Sequence, residues 1–219
     1  MSENARPKRR YDSSRRREQA GRTREQIVRA AGDVFVERGY AGATIAAIAA
    51  RAEVAVETVY RSASGKSGLL AAAVQAALAG GVARSEVPRE QRPGIRVVIE
   101  ETDPRARFAR YAEMITGVYR RAGPLLRVLN AAAASDEELA ALRDSLEQQR
   151  WEGQRRFAQA LAEAGTLRTG LTVETAADVI FALQAPAVHD SLVLDRGWST
   201  GAYRDWLADL LARALLDDA

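Results

Sequence analysis

The chain has 219 residues, enough for one compact domain or two small ones with a sizeable core. It has no cysteine and one histidine, which excludes a disulfide framework and thiolate metal sites and argues against an imidazole-rich centre or a histidine-dependent triad. The net charge of +3 is unevenly placed: nine Lys/Arg and three acids in residues 1–24 give +6, leaving −3 for the rest. A basic segment before a mildly acidic body suits a polyanion, most directly the DNA backbone.

Residues 1–22 carry charge and serine without apolar periodicity and are expected to be a disordered basic arm, contacting DNA or merely solvated. The charges of the N-terminus precede no apolar stretch, so no secretory leader is expected. No apolar run is expected to reach the roughly 18 residues that cross a bilayer, and the protein is expected to be cytoplasmic, without a membrane partner.

Residues 23–68 read as three helices with two tight breaks. Ile27, Ala30, Ala31, Val34 and Phe35 recur at the spacing of one buried helical face, and Arg38-Gly39 stops that helix. Thr44 precedes Ile45, Ile48, Ala49 and Ala52 and is placed to cap their helix. After Glu53-Val54-Ala55 a third helix is predicted over Val56–Ser62, burying Val56, Val59 and part of Tyr60 and turning Glu57, Thr58 and Arg61 outward. Two short helices joined by such a turn form a helix-turn-helix, whose second helix is built to enter a major groove.

The run Val54-Ala55-Val56-Glu57-Thr58-Val59-Tyr60-Arg61, with Lys66, Leu69-Leu70, Gly39-Tyr40, Thr44-Ile45 and Ile48-Ala49, resembles the signature of the tetracycline-repressor (TetR) family. The resemblance implies the DNA-binding domain of a homodimeric, ligand-responsive transcription factor. Carried over position by position, it implies phosphate contacts for Thr44, Thr58, Tyr60 and Lys66. It sets Val56, Glu57 and Arg61 against bases, although Glu57 also reads as an ordinary surface charge. Three residues depart from the pattern: Glu53 at a usual turn glycine, Ala55 at a usual capping serine and Ala63 at a usual core phenylalanine.

Ser64-Gly65-Lys66-Ser67 starts a fourth helix that ends at Gly80-Gly81. The Gly-Lys-Ser run is not a P-loop, since the required first glycine would fall on Tyr60 and no strand precedes it. Arg84–Pro104 reads as a polar, proline-broken connection in which Ile95–Ile99 has strand propensity without a partner strand. A helix starts near Pro104 and is expected to break at Gly123-Pro124, with another following to about Ala134. Ser135-Asp136-Glu137-Glu138 caps a long helix ending at Gly165. Another starts near Thr172, carries Pro186 inside it and ends at Gly197, and the last spans about Thr200–Leu216.

The expected fold is therefore all-α, with an N-terminal three-helix DNA-binding domain and a C-terminal helical ligand-binding and dimerisation domain over 69–219. Phe108, Tyr111, Met114, Ile115, Tyr119, Trp151, Phe157 and Phe181 fill a core or line a cavity; the resemblance favours a cavity for an unidentified small-molecule effector, with His189 as a further ligand contact. The last two helices resemble those with which such regulators form a four-helix bundle with a second copy, which implies Leu192, Trp198, Tyr203, Trp206 and Leu210 for a homodimer interface. The partners implied are double-stranded DNA, the effector and a second copy, with no cofactor and no metal. The function implied is a repressor released from a palindromic operator by its effector. A ligand-independent regulator would instead have a solid helical body. An enzyme would need clustered titratable groups, and the Glu-x-x-His pattern of helical-bundle metal enzymes is absent.

Overall fold

Helix is the only regular secondary structure among residues 11–217, which the computed structural model describes. Two compact units divide the chain within one helix, one up to Ala73 and one from Val74 onward.

In the first unit, α1 spans Tyr11–Gly42, with the backbone leaving the helix at Gly39 (φ 68°, ψ 175°). That conformation suits a residue without Cβ, which is why the chain turns there. Then come α2 (Ile45–Arg51), α3 (Val56–Ser62) and the start of α4 (Gly65–Ala79). Ile27, Ala31, Val34 and Phe35 are buried, as are Ile48, Ala52, Val59, Leu69 and Leu70. The small residues of α2 let α1 and α3 approach it closely.

The arm differs from expectation. Residues 1–10 lie outside the described residues, but 11–22 belong to α1 rather than to a disordered segment. Arg, Glu, Gln and Ala are good helix formers, and extending an existing helix avoids the cost of a new nucleus. Arg15–Arg22 remain exposed.

In the second unit, α4 ends before Gly80 (φ 83°), and α5 (Val82–Ser85), a 3₁₀ turn (Arg89–Gln91) and α6 (Pro93–Glu100) follow. The β-prone Ile95–Ile99 run is thus helical, proline at the first turn having set the helical φ. The long helices are α7 (Pro104–Ala132), capped by Asp103, and α8 (Glu137–Glu163), capped by Asp136. Pro124 does not break α7 as expected. The buried stripe Tyr119, Ala122, Leu125, Leu129 runs unbroken past it, and the carbonyl that loses its partner belongs to exposed Arg120, where water can serve it.

Helix α9 (Val173–Leu183), capped by Thr172, stops at Gln184-Ala185, and α10 (Pro186–His189) leads into a π-turn over Asp190–Asp195. Pro186 therefore ends the helix outright, since the residue before proline avoids helical geometry. Helix α11 (Thr200–Leu215) is capped by Ser199. Helix α7 packs on α11 and α8 on α9, around Phe108, Ala112, Leu161, Ile180, Tyr203, Leu207 and Leu211.

One expectation about apolar runs needs correction. Val173–Asp195 is long and apolar enough to cross a bilayer by length and composition, and only 22% of it is buried. Its backbone is broken at Gln184-Ala185, which a spanning helix in hydrocarbon tolerates only where the freed groups find partners.

Candidate nucleic-acid interface and ligand cavity

The head is built around the α2–α3 turn. Thr44 caps α2 by accepting from Ala47 N at 3.1 Å. The turn closes with Glu53 N donating to Ala50 O (3.2 Å) and Val54 N to Ala49 O (3.1 Å). Glu53 is left at φ 52°, the one positive φ outside glycine among the described residues. Glutamate therefore adopts the left-handed conformation itself. Ala55 is extended at the start of α3 and supplies no side-chain cap.

Val59 is buried and pins α3 to the head. Glu57, Tyr60 and Arg61 stand one helical turn apart on the opposite, exposed face, with Tyr60 60% exposed. Val56, expected to be buried, is only half-buried, as is Thr58. Arg61 Nη2 donates to Thr58 Oγ1 at 3.4 Å. Lys66 Nζ donates to Ala41 O at 3.3 Å and lies 4.5 Å from the centre of the Tyr40 ring. Arg51 clasps Glu37 through two hydrogen bonds of 2.9 and 2.7 Å, tying α2 to α1.

The second unit holds a cavity of about 680 Å³ between the end of α4, α5–α6, α7 and α8. Of the residues expected to face a ligand, Met114, Ile115 and Tyr119 line it. The others do not. Phe108 is fully buried, packed edge-on to Phe157 at 5.8 Å. Tyr111 stacks on Phe157 at 4.7 Å and donates to Gln154 Oε1 at 2.6 Å, and burial holds its hydroxyl pKa far above the usual tyrosine value. Trp151 Nε1 donates to Asp178 at 3.1 Å. Phe181 lies beneath the Arg150 guanidinium, 3.4 Å from its ring centre. His189 is buried between Tyr119 and Tyr203, 4.8 and 5.0 Å away, with Nδ1 3.0 Å from Asp190. Phe108, Tyr111 and His189 turned inward, where the area of a ring is worth most, while Trp151 and Phe181 are half-buried on the outer side of the packing.

The comparisons agree with this architecture. Residues 27–73 match the profile described as bacterial regulatory proteins, tetR family. Residues 27–73 thus carry the DNA-binding domain described for tetR-family regulators. Among solved structures, it is similar to a putative TetR-family transcriptional regulator from Mesorhizobium loti (TM-score 0.69, 18% identity, covering 91% of this chain and 99% of that one). It is also similar to the regulator FadR from Bacillus subtilis, solved with stearoyl-CoA (0.67, 20%, 85% and 96%). A third is NalD, the secondary repressor of the MexAB-OprM multidrug efflux pump in Pseudomonas aeruginosa (0.66, 22%, 91% and 100%). Curated protein sequences give no significant match.

What the sequence reading missed is the polar lining of the cavity. Arg84, Arg89, Arg92, Arg120, Arg121 and Arg150 face it, with Gln154 and Gln184. Arginine reads as solvent surface by default, and the density of arginine through 84–92 and at 120–121 was the only signal available. Gln184 is 1% exposed, its carbonyl accepts from the Tyr119 hydroxyl, and its Nε2 has no partner. The residues assigned to a dimer interface also separate. Trp198 is exposed at 36% and Leu192, Trp206 and Leu210 are half-buried, but Tyr203 is fully buried in the core and unavailable to a second subunit. Its place in the i, i+4 stripe with Leu207 and Leu211 put it inside. Among the described residues no group of three or more His, Asp or Glu is arranged to hold a metal.

Proposed function

We propose that this TetR-family regulator binds a palindromic DNA operator as a homodimer, in the cytoplasm, and that a small molecule in the body cavity releases it. The observation that carries the reading is the helix-turn-helix over residues 27–73 with Glu57, Tyr60 and Arg61 exposed along one face of its second helix. On DNA, Thr44, Thr58, Tyr60 and Lys66 meet phosphates, fixing register, while Val56, Glu57 and Arg61 face base edges. Lys66 gives up its carbonyl and its ring for a phosphate. Two heads about one helical turn apart, roughly 34 Å, read the two half-sites.

The body supports the ligand-responsive half of the reading. A solid core was the expectation for a ligand-independent regulator, and a cavity of about 680 Å³ lies within the usual size of ligand sites. It is lined by Gln75, Leu78 and Ala79 of α4, the helix that begins at Gly65 beside Lys66. A ligand that displaces α4 alters the separation of the heads, and DNA affinity falls because the ligand favours the state that fits the operator less well. Repression follows from blocking transcription at the bound site. Of the neighbours, FadR was solved with stearoyl-CoA and NalD is a repressor, which is consistent with this scheme.

The test is a gel-shift with DNA upstream of the protein's own gene. Wild type is retained specifically, and Tyr60→Phe and Lys66→Ala each weaken retention. Losing the Lys66 phosphate contact lowers the slope of log affinity against log salt by about one. Retention without sequence preference, unchanged in both variants, overturns the assignment of the head.

A further inference from the structure

The geometry points to an amphipathic organic anion as the occupant of the body cavity: an acidic head held by arginines at the mouth and an apolar body inside. The inference rests on reading this cavity as the effector site. Two groups of like charge meet there. In one, Arg84 and Arg121 meet over Gly80 at the end of α4, and Arg121 feels the charge of Arg120. A Cβ placed on Gly80 would stand 3.2 Å from Arg84 Nη1 and 3.7 Å from Arg121 Nε, so the two guanidiniums converge over that bare backbone. In the other, Arg89 and Arg92 share the lining, and Arg89 feels the charges of Arg156 and Arg92.

The hydrogen bonds of these arginines go to carbonyls, and Glu152 and Glu90 act on Arg89 and Arg92 only from a distance. Arg84 donates to Gly80 O at 3.4 Å, Arg121 to Ala77 O at 3.4 Å, Arg89 to Gln149 O at 3.2 Å and Arg92 to Val87 O at 3.1 Å. Carbonyls occupy N–H groups without cancelling charge. The two acids of the lining are engaged, Glu147 with Arg150 at 2.8 Å and Glu113 with Arg204 at 3.3 Å. Desolvation and the neighbours Arg120 and Arg84 hold the pKa of Arg121 below the usual arginine value, and desolvation with Arg156 and Arg92 does the same for Arg89, although both side chains keep exposed surface. Cations crowded until they repel are stabilised by an anion placed between them.

The simpler reading is that Arg84 and Arg121 only cap the C-terminus of α4, where the helix dipole favours cations. It accounts for two arginines and two carbonyls, not for Arg120, Arg89 and Arg92. Nor does it account for Gln184 Nε2, a buried donor of the lining with no partner. Every one of these groups offers hydrogens and wants an acceptor-rich ligand. Met114, Ile115, Leu126 and Leu146 supply the apolar wall. An anion that draws Arg84 and Arg121 to itself also takes them from the carbonyls of Gly80, just past α4, and Ala77, within it, which gives the ligand its hold on that helix.

The experiment uses the full-length protein without DNA and four probes sharing a ten-carbon chain: decanoate, decyl phosphate, decanol and decyltrimethylammonium. Calorimetry is expected to show both anions binding at least about ten-fold more tightly than the alcohol, with the cation weaker still. The tighter of decanoate and decyl phosphate tells a carboxylate head from a phosphate head. Arg121→Gln and Arg84→Gln each weaken the anions about ten-fold and leave decanol unchanged, while Arg121→Lys, which keeps the charge, loses less. Decanol or the cation binding as tightly as the anions overturns the inference. So does the absence of binding by all four, or an Arg→Gln pair that binds anions like wild type. Selective anion binding that leaves a DNA complex intact upholds the anion site and overturns the effector role of the cavity instead.

Discussion

Glu53 carries a left-handed backbone (φ 52°) where the family pattern has glycine. A side chain in that region costs about 1 kcal/mol, so Glu53→Gly is expected to raise stability by about that amount. A higher urea midpoint at unchanged slope is the readout; a lower one would mean that the Glu53 side chain more than offsets the strain. Glu37 offers a second test of a single residue. Its hydrogen bond from Arg51, the main cause, holds its carboxyl below the ordinary 4.5. A depressed carboxylate stabilises the fold above its unfolded value and ceases to do so as pH falls through its folded value. Wild type should therefore melt above Glu37→Gln at neutral pH, by little because the pair is exposed, with the gap closing as pH falls below 4.5. A gap that persists in acid would assign the effect to packing. Both residues were visible in the sequence, but only the fold put Arg51 within reach of Glu37.

At the scale of elements, α3 stands out because it begins without a cap. Ala55 has φ −67° and ψ 147°, an extended conformation suited to a capping residue. Ala55→Ser is thus expected to stabilise the head by about 1 kcal/mol, measured as a rise in the unfolding midpoint. No change would mean that α3 is held by Val59 and its neighbours rather than by its end. Helix starts were legible: Thr44, Asp136 and Thr172 cap as their sequence positions foretold. Helix interruptions were less so. Pro124 is carried through α7 and Pro186 ends α9, although both are internal prolines in apolar runs. What differs is the surrounding stripe, continuous past Pro124 but meeting Gln184 and Ala185 before Pro186. The basic segment from Tyr11 to Arg22 shows the converse, its polarity suggesting disorder while its helix-forming side chains simply prolong α1.

For the whole molecule, the apolar surface left on the second unit bears on assembly. Only 22% of Val173–Asp195 is buried, Leu194 is 52% exposed and Trp198 36%. The proposed homodimer would cover this surface, and on that proposal Leu194→Arg is expected to shift the protein toward monomer in sedimentation and to weaken operator binding with it. A monomeric wild type, or a variant that stays dimeric, would place the interface elsewhere. Such a surface could be foreseen as apolar but not as open, since hydropathy does not say which side of a helix finds a neighbour within its own chain.

The sequence by itself determined the helical class, the three-helix head, the spacing of its second helix and most helix starts. These depend on contacts a few residues apart, where periodicity, caps and glycines act locally. Only the tertiary structure decided which rings fill the core and which side chains line the cavity. Phe108, Tyr111 and Tyr203 went inside, while arginines from three distant segments, around 84–92, at 120–121 and at 150, came to one cavity. The reason is that burial is settled by packing between helices far apart in the chain, where apolar area and buried charge are weighed together, and no local pattern records that outcome.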